Sequence, residues 1–378
     1  MQRIALFSIT YDPYIGGAEV AIKQVTNRLT ECRFDLYTAK MDPNLPDEEQ
    51  IGNVYVYRVG TGNRLFDKLL FPWGARTMAL RQHAKNPYAA FHAVMANYAG
   101  LAALLCKRAE PGVPYILTLQ SGDSDAFIWS RTWFWYPWYR KIYACADYVT
   151  AISNWLVRRA CCYGCQKGVA VIPNGVDAGL FSAGISARER ERIRESWGAN
   201  ESSNIIFTAS RMVRKNGIDI LIDSLSHLPE TYKLVIAGTG DREKEYKSRS
   251  AKYKDQVLFL GQVGYQDLPA LMQSADVFAR PSRTEGFGNV FVEAMAAKLP
   301  VVATPVGGIV DFVTHASTGM LAKPEDPKSV AQQIKIIASD QDLRGRLIQN
   351  GADLVRERYS WDRIAGQYKA IYQKCMHV

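Results

Sequence analysis

Two carboxylates, Glu285 and Glu293, stand with seven residues between them, and Gly286-Phe287-Gly288 lies inside that interval. The two glycines let the backbone approach another group closely. Val290, Phe291, Ala294, Met295 and Ala297 recur at helical spacing, so a helix starts near Asn289. A helix start presents free N–H groups and a positive dipole end, which suits phosphate. A glutamate on the first turns also complements that dipole without any ligand, so neither acid alone defines a site. A second cluster is cationic: Arg211, Arg214 and Lys215 follow the apolar run Ile205–Ala209. These are either a solvated face or, if they meet the Glu285 loop, neutralising ligands for a departing diphosphate. A third candidate is Gly16-Gly17, between the short apolar run Ile4–Ser8 and a helix marked by Val20, Val25 and Leu29. Strand, glycine loop, helix opens a Rossmann-like unit and turns the loop toward phosphate.

The elements that must hold these residues read as alternating strands and helices. Residues 34–38, 54–59, 91–95, 114–119, 148–153 and 169–172 are strand-like by their β-branched and aromatic content, with a helix over 98–107. Pro173-Asn174-Gly175-Val176-Asp177 is a turn signal, after which residues 205–209, 234–237, 257–263 and 276–279 repeat the strand pattern. Helices are expected over 187–197, 329–337, 342–357 and 361–372. Alternation of this kind makes parallel sheets, whose ligands bind beyond the carboxyl ends of the strands. Gln120 and Val263 stand at two such ends.

A chain of 378 residues favours about two domains, and 48% hydrophobic content is ample for two cores. The net charge of +9 favours polyanionic partners, either nucleotides or phospholipid headgroups; no nucleic-acid-binding module shows itself. The opening apolar run is too short for a secretory signal, and no run approaches the ~18 residues that span a bilayer. Seven cysteines argue against a disulfide framework, and Cys162-Tyr163-Gly164-Cys165 is half a zinc pattern without a second half. Between Phe127 and Tyr143 lie four of the eight tryptophans, and Arg131, Arg140, Lys141, Arg158, Arg159 and Lys167 face only Asp147 from 127 to 167. Three readings stand: packing with a solvated basic face, a surface for anionic membrane, or an aromatic platform for a sugar ring.

Glu285, the Gly-Phe-Gly loop, Glu293 and the later Thr304-Pro305-Val306-Gly307-Gly308 resemble glycosyltransferase family 4, retaining enzymes of the GT-B fold that use nucleotide sugars. Gly16-Gly17-Ala18-Glu19 is similar to the family's N-terminal loop, and Pro173–Asp177 to its domain junction. The resemblance implies two Rossmann-like, doubly wound α/β domains facing across a cleft: 1-177 on the acceptor side with a crossing helix at 360-378, and 178-359 for the nucleotide sugar. It implies that Glu293 holds the ribose and Glu285 the sugar hydroxyls. Arg211 and Lys215, with amides of Gly16, Gly17 and Gly286, Phe287, Gly288 and Asn289, would stabilise the leaving diphosphate. Val263 would border the base, and Gln120 would line the donor side.

Two positions depart from the pattern. Gln120 stands where the family commonly carries His, and glutamine does not titrate. Asn216 stands where a lysine usually precedes Gly217, which shifts that role to Lys215, with Arg214 as competitor. The implied reaction needs no cofactor and no metal. The expected acceptor is lipid-linked or a saccharide, in glycolipid or cell-surface polysaccharide assembly, and the expected location is cytoplasmic, with peripheral contact at the inner face of the plasma membrane if the 127–167 stretch meets anionic membrane. A sugar-nucleotide epimerase and a non-catalytic nucleotide-sugar-binding subunit remain alternatives. A dehydrogenase is disfavoured, since Gly16-Gly17 does not extend to Gly-x-Gly-x-x-Gly.

Overall fold

Fourteen strands form two separate sheets in a computed structural model that describes residues 2–14, 16–253 and 255–375. The chain divides into two units, Met1–Asn174 with Trp361–Val378, and Gly175–Ser360.

The first unit contains β1 (Gln2–Phe7), β2 (Cys32–Ala39), β3 (Glu48–Ile51), β4 (Val54–Val59), β5 (Ala90–Val94), β6 (Tyr115–Leu119), β7 (Tyr148–Ala151) and β8 (Val169–Val171). Their spatial order is β3-β4-β2-β1-β5-β6-β7-β8. Every pairing is parallel except β3 with β4. The strands β1, β5 and β6 are buried through nearly their whole length and do not alternate, as strands of a parallel sheet covered on both faces do. The chain runs outward from β1 in one direction and from β5 in the other, which makes the β1/β5 gap the topological switch point.

The last helix, Trp361–Lys374, belongs to this unit and packs on the helix Gly17–Arg28. Its Tyr372 hydroxyl bonds His92 Nδ1 at 2.8 Å, and His92 Nε2 meets Thr118 Oγ1 at 2.7 Å. Burial holds His92 down at about 3, so the ring is a neutral linker within the core.

The second unit contains β9 (Asn204–Ala209), β10 (Tyr232–Ala237), β11 (Val257–Gly261), β12 (Val277–Arg280), β13 (Val301–Ala303) and β14 (Met320–Leu321). All are parallel, in the order β11-β10-β9-β12-β13-β14. Its switch point lies between β9 and β12. The expected strands and helices are found with shifts of a few residues at their ends. Among the elements not anticipated are the edge strand β3, the 22-residue helix Arg64–Lys85, and the helices Asp125–Thr132, Tyr136–Ala144 and Asn154–Cys162. That helix is capped by Asn63, whose side chain accepts from the Leu65 and Phe66 amides.

Candidate active site

In the second unit the loops leaving β9, β12 and β13 meet at the switch point, and glycines set how closely. Gly217 has φ +69°, and a Cβ there would lie 2.0 Å from the Pro281 carbonyl oxygen. Gly307 has φ +58°, and its Cβ would lie 1.8 Å from the Glu285 carbonyl oxygen. The Gly308 amide donates to that same oxygen at 3.0 Å. The Glu285 loop is thus fixed by backbone against backbone, which no side chain at these two positions would allow.

Arginines finish the assembly. Arg283 donates its amide to the Lys215 carbonyl at 2.7 Å and Nη1 to the Arg214 carbonyl at 2.7 Å. Its guanidinium also grips Asp219 through two bonds of 2.8 Å. This side chain ties the β9 and β12 loops together and holds the cationic cluster in place. Arg280, the last residue of β12, is buried, pairs with Glu285, and lies over the Phe291 ring with Cζ at 4.8 Å.

Glu293 lies on the helix Asn289–Ala296, enclosed enough that burial lifts its carboxyl to about 7, against the opposing charge of Arg280. One buried guanidinium therefore acts on both acids. Tyr265, in the loop after β11, is raised by burial and then by the charges of Glu293 and Asp177, so that loop reaches Glu293. The helix begins after Gly288, which has φ +97° and no side chain to cap the first amides.

Arg211, Lys215, Glu285, Gly286, Gly288, Asn289 and Glu293 therefore all lie on the loops and helix start at this switch point. Arg211 is exposed and Lys215 half-buried. Asn216 is turned inward: Nδ2 donates to the Arg211 carbonyl at 2.7 Å, so it shapes the loop and does not replace a lysine. Phe287 was expected to contribute its amide, and its side chain turns away from that role. Its ring is buried against Phe312 and Tyr359, at centroid distances of 5.0 and 5.4 Å, so only its backbone can meet a ligand. Val263 is half-buried after the edge strand β11. Sequence reasoning missed Arg280, Arg283 and Tyr265. The signal for Arg280 was its position at the end of an apolar strand, where a charge has no packing reason to be.

In the first unit Gly16 and Gly17 begin the helix after β1, at that sheet's own switch point. A cavity of about 290 Å³ opens at the ends of β5 and β6, bordered by Met95, Asn97, Gln120, Asp123, Arg131 and Trp135. Met95 has φ +77°, a strained setting for a side chain that large. Gln120 accepts from Asn174 Nδ2 at 3.4 Å. The aromatic stretch divides. Tyr139 and Tyr143 are buried, while Trp129, Trp133 and Phe134 are exposed.

The grouping of its cations as one outward face needs correcting. Arg159 is buried, paired with Asp125 at 2.9 Å and stacked on Trp155, and Lys167 is paired with Asp147 at 2.7 Å.

Two Rossmann-like units with parallel sheets, the second carrying a glycine-locked loop with acids and cations at its switch point, define the GT-B class of sugar transferases. The chain belongs to glycosyltransferase family 4: residues 15–180 match the model described as Glycosyltransferase Family 4, and residues 189–354 that of Glycosyl transferases group 1. It is 28% identical to an uncharacterized glycosyltransferase of Methanocaldococcus jannaschii, over 100% of this chain and 99% of that one. It is 30% identical to the phosphatidyl-myo-inositol mannosyltransferase of Mycobacterium leprae, over 63% of this chain and 60% of that protein. Its fold is similar to sucrose-phosphate synthase from Thermosynechococcus elongatus, with TM-score 0.85, 24% identity and 99% of each chain covered. It is similar also to Anabaena HepE in complex with UDP and glucose, with TM-score 0.81, 21% identity, and 99% and 100% covered.

Proposed function

We propose that this chain is a retaining glycosyltransferase that moves a sugar from a nucleotide diphosphate donor, a UDP- or GDP-sugar, to a hydroxyl of a lipid-linked or saccharide acceptor in glycolipid or cell-surface polysaccharide assembly, working from the cytoplasm. The observation that carries this reading is the Glu285–Arg280–Glu293 arrangement beside the Arg211–Gly217 loop. In it Glu293 accepts from the ribose hydroxyls and Glu285 from the hydroxyls of the transferred sugar, with Arg280 fixing Glu285. Arg211 and Lys215, together with the amides from Gly286 to Asn289, neutralise the diphosphate as it departs. The leaving phosphate takes the acceptor proton, so catalysis is positioning and electrostatics. The nucleotide sugar is the substrate and no cofactor is needed. The mannosyltransferase relatives named for phosphatidylinositol acceptors support a lipid-linked acceptor.

A thermal-shift series with UDP, GDP and ADP tests the reading, because a ligand specific to the folded state stabilises by RT ln(1 + [L]/Kd). One nucleotide is expected to raise Tm well above the others. Arg211→Ala should then lower kcat/KM by an amount equivalent to about 2–4 kcal/mol, as for one preorganised oxyanion donor. No response to any nucleoside diphosphate, or an unchanged kcat/KM, overturns it.

A further inference from the structure

The first unit carries an apolar surface that its core does not use. The helix Arg64–Lys85 buries Asp67, Phe71, Ala75 and Ala79 along one stripe. Leu65, Phe66, Leu69, Leu70 and Trp73 form a second stripe, and all five are exposed, Phe66 by 60% and Leu70 by 62%. Their spacing puts them on one face of the helix. Trp129, Trp133, Phe134 and Trp138 are exposed on the helical segment that follows β6, with Phe127 beside them. Twelve large apolar side chains are exposed among the described residues, and ten belong to these two segments. Single exposed apolar residues are ordinary, whereas a concentration of this kind marks an interaction surface.

The helix Arg64–Lys85 and the helix Tyr136–Ala144, which carries Trp138, both pack on the helix Tyr98–Ala109, so the two segments flank one element. Lys68 is partly buried and feels the like charges of Arg64 on its own helix and Arg131 on the other segment, and together these lower its ammonium pKa. Arg131 itself lies on the Phe127 ring at 4.4 Å. Arg108 and Lys141 both lie over the Trp138 ring, at 4.5 and 5.2 Å. The local acid Asp125 is already committed to Arg159. The surface therefore presents rings and leucines rimmed by cations. That is the complement of an anionic bilayer, in which amphipathic rings enter the headgroup layer and Lys and Arg meet lipid phosphate. Among the described residues no helix is long and apolar enough to cross a membrane, so such contact would lie along the surface.

We propose that the first turns of the helix Arg64–Lys85 and the segment from Phe127 to Trp138 act together as one face that lies on an anionic lipid bilayer. This deepens the reading of a lipid-linked acceptor and rests on it only for what the bilayer delivers, since binding is read without turnover.

The test is co-sedimentation of the full chain with vesicles of phosphatidylcholine alone or mixed with phosphatidylglycerol, at low and high salt. The chain should sediment with the mixed vesicles, stay in solution with the neutral ones, and be released by salt. Phe66→Ser with Leu70→Ser, and separately Trp133→Ser with Phe134→Ser, should each weaken partitioning about ten-fold or more, and Lys68→Glu should weaken it as well. Nucleoside diphosphate binding, which resides in the second unit, should be unchanged in all three variants, which separates loss of the face from loss of fold. The proposal is overturned if wild type ignores lipid charge, if only one double variant matters, or if light scattering shows a solution dimer that the variants dissolve. A wild type that binds mixed vesicles but no nucleoside diphosphate would keep this inference and defeat the transferase reading.

Discussion

The two switch points follow the same topological rule and are built differently. At β9/β12 the loops touch backbone to backbone, with glycine required at Gly217 and Gly307, and with the buried Arg280 and half-buried Arg283 threading between them. In the first unit the cavity opens beside the switch point, at the ends of β5 and β6, and its lining is side chain: Met95, Gln120, Arg131 and Trp135. Backbone geometry is the same for every residue type, so a site made from it suits a group that does not vary, such as a diphosphate. A site made of side chains is the part that substitution can retune, as Gln120 in place of the family's usual histidine illustrates. The difference between the units is thus one of building material, and it can be tested by changing that material.

The largest effect should come from Gly307→Ala. The new Cβ would stand 1.8 Å from a backbone oxygen, which cannot swing aside, at a φ of +58° that disfavours a side chain. A loss of about 3 kcal/mol or more in the second unit is expected, read as a lower urea midpoint together with abolished nucleotide binding. A variant as stable as wild type would show that the loop is not locked.

Removing the buried guanidinium comes next. Arg280→Ala leaves Glu285 and Glu293 without their shared cation, and breaking a buried pair in this way costs about 3 kcal/mol. It should also raise the Glu293 carboxyl further, because Arg280 is the charge now opposing burial. Unchanged stability with an unchanged titration would remove Arg280 from the site.

These two variants also show what was legible in the chain. The parallel α/β architecture could be read because buried strands are continuous apolar runs and the loops between them carry glycine. The Glu285–Glu293 interval was legible for the same reason. Arg280 and Arg283 were not, since a sequence does not reveal which cation turns inward. The role of Asn216 was hidden too: a polar side chain that braces its own loop and one that meets a ligand look alike until its partner, the Arg211 carbonyl, is seen. The core role of the Phe287 ring was hidden as well, because its place between two glycines of the loop drew attention to its backbone alone. The helix Arg64–Lys85 escaped because Pro72 and an apolar pattern on two faces blur the usual single stripe.

The titration of Glu293 gives a smaller effect with a definite sign. Its folded carboxyl sits at about 7 against an ordinary 4.5, so the folded state holds the proton more tightly than the unfolded chain does. The contribution to stability is complete below the unfolded value and is lost as pH rises through the window from 4.5 to about 7. The loss is at most about 3 kcal/mol. Urea titrations at several pH values should show wild type losing stability across this window relative to Glu293→Gln. Parallel profiles for the two proteins would place the carboxyl at an ordinary value and weaken the case for an enclosed acid at this switch point.

The smallest effect is expected at Gly16, and it sharpens the contrast most. Its backbone is extended, with φ −146°, so alanine is allowed there. The new Cβ would meet the Glu19 carboxylate at 2.5 Å, the far end of a flexible side chain that can swing away, giving up the hydrogen bond it accepts from the Thr10 hydroxyl. Gly16→Ala should therefore cost no more than about 1 kcal/mol of stability, the net value of one hydrogen bond. That contrasts with the large cost at Gly307. Activity then decides why a glycine is there. If Tm holds while kcat/KM falls about ten-fold or more, the loop needs an open backbone for a substrate group, and both switch points share that requirement. If neither moves, Gly16 merely begins a helix, and close backbone approach belongs to the second unit alone.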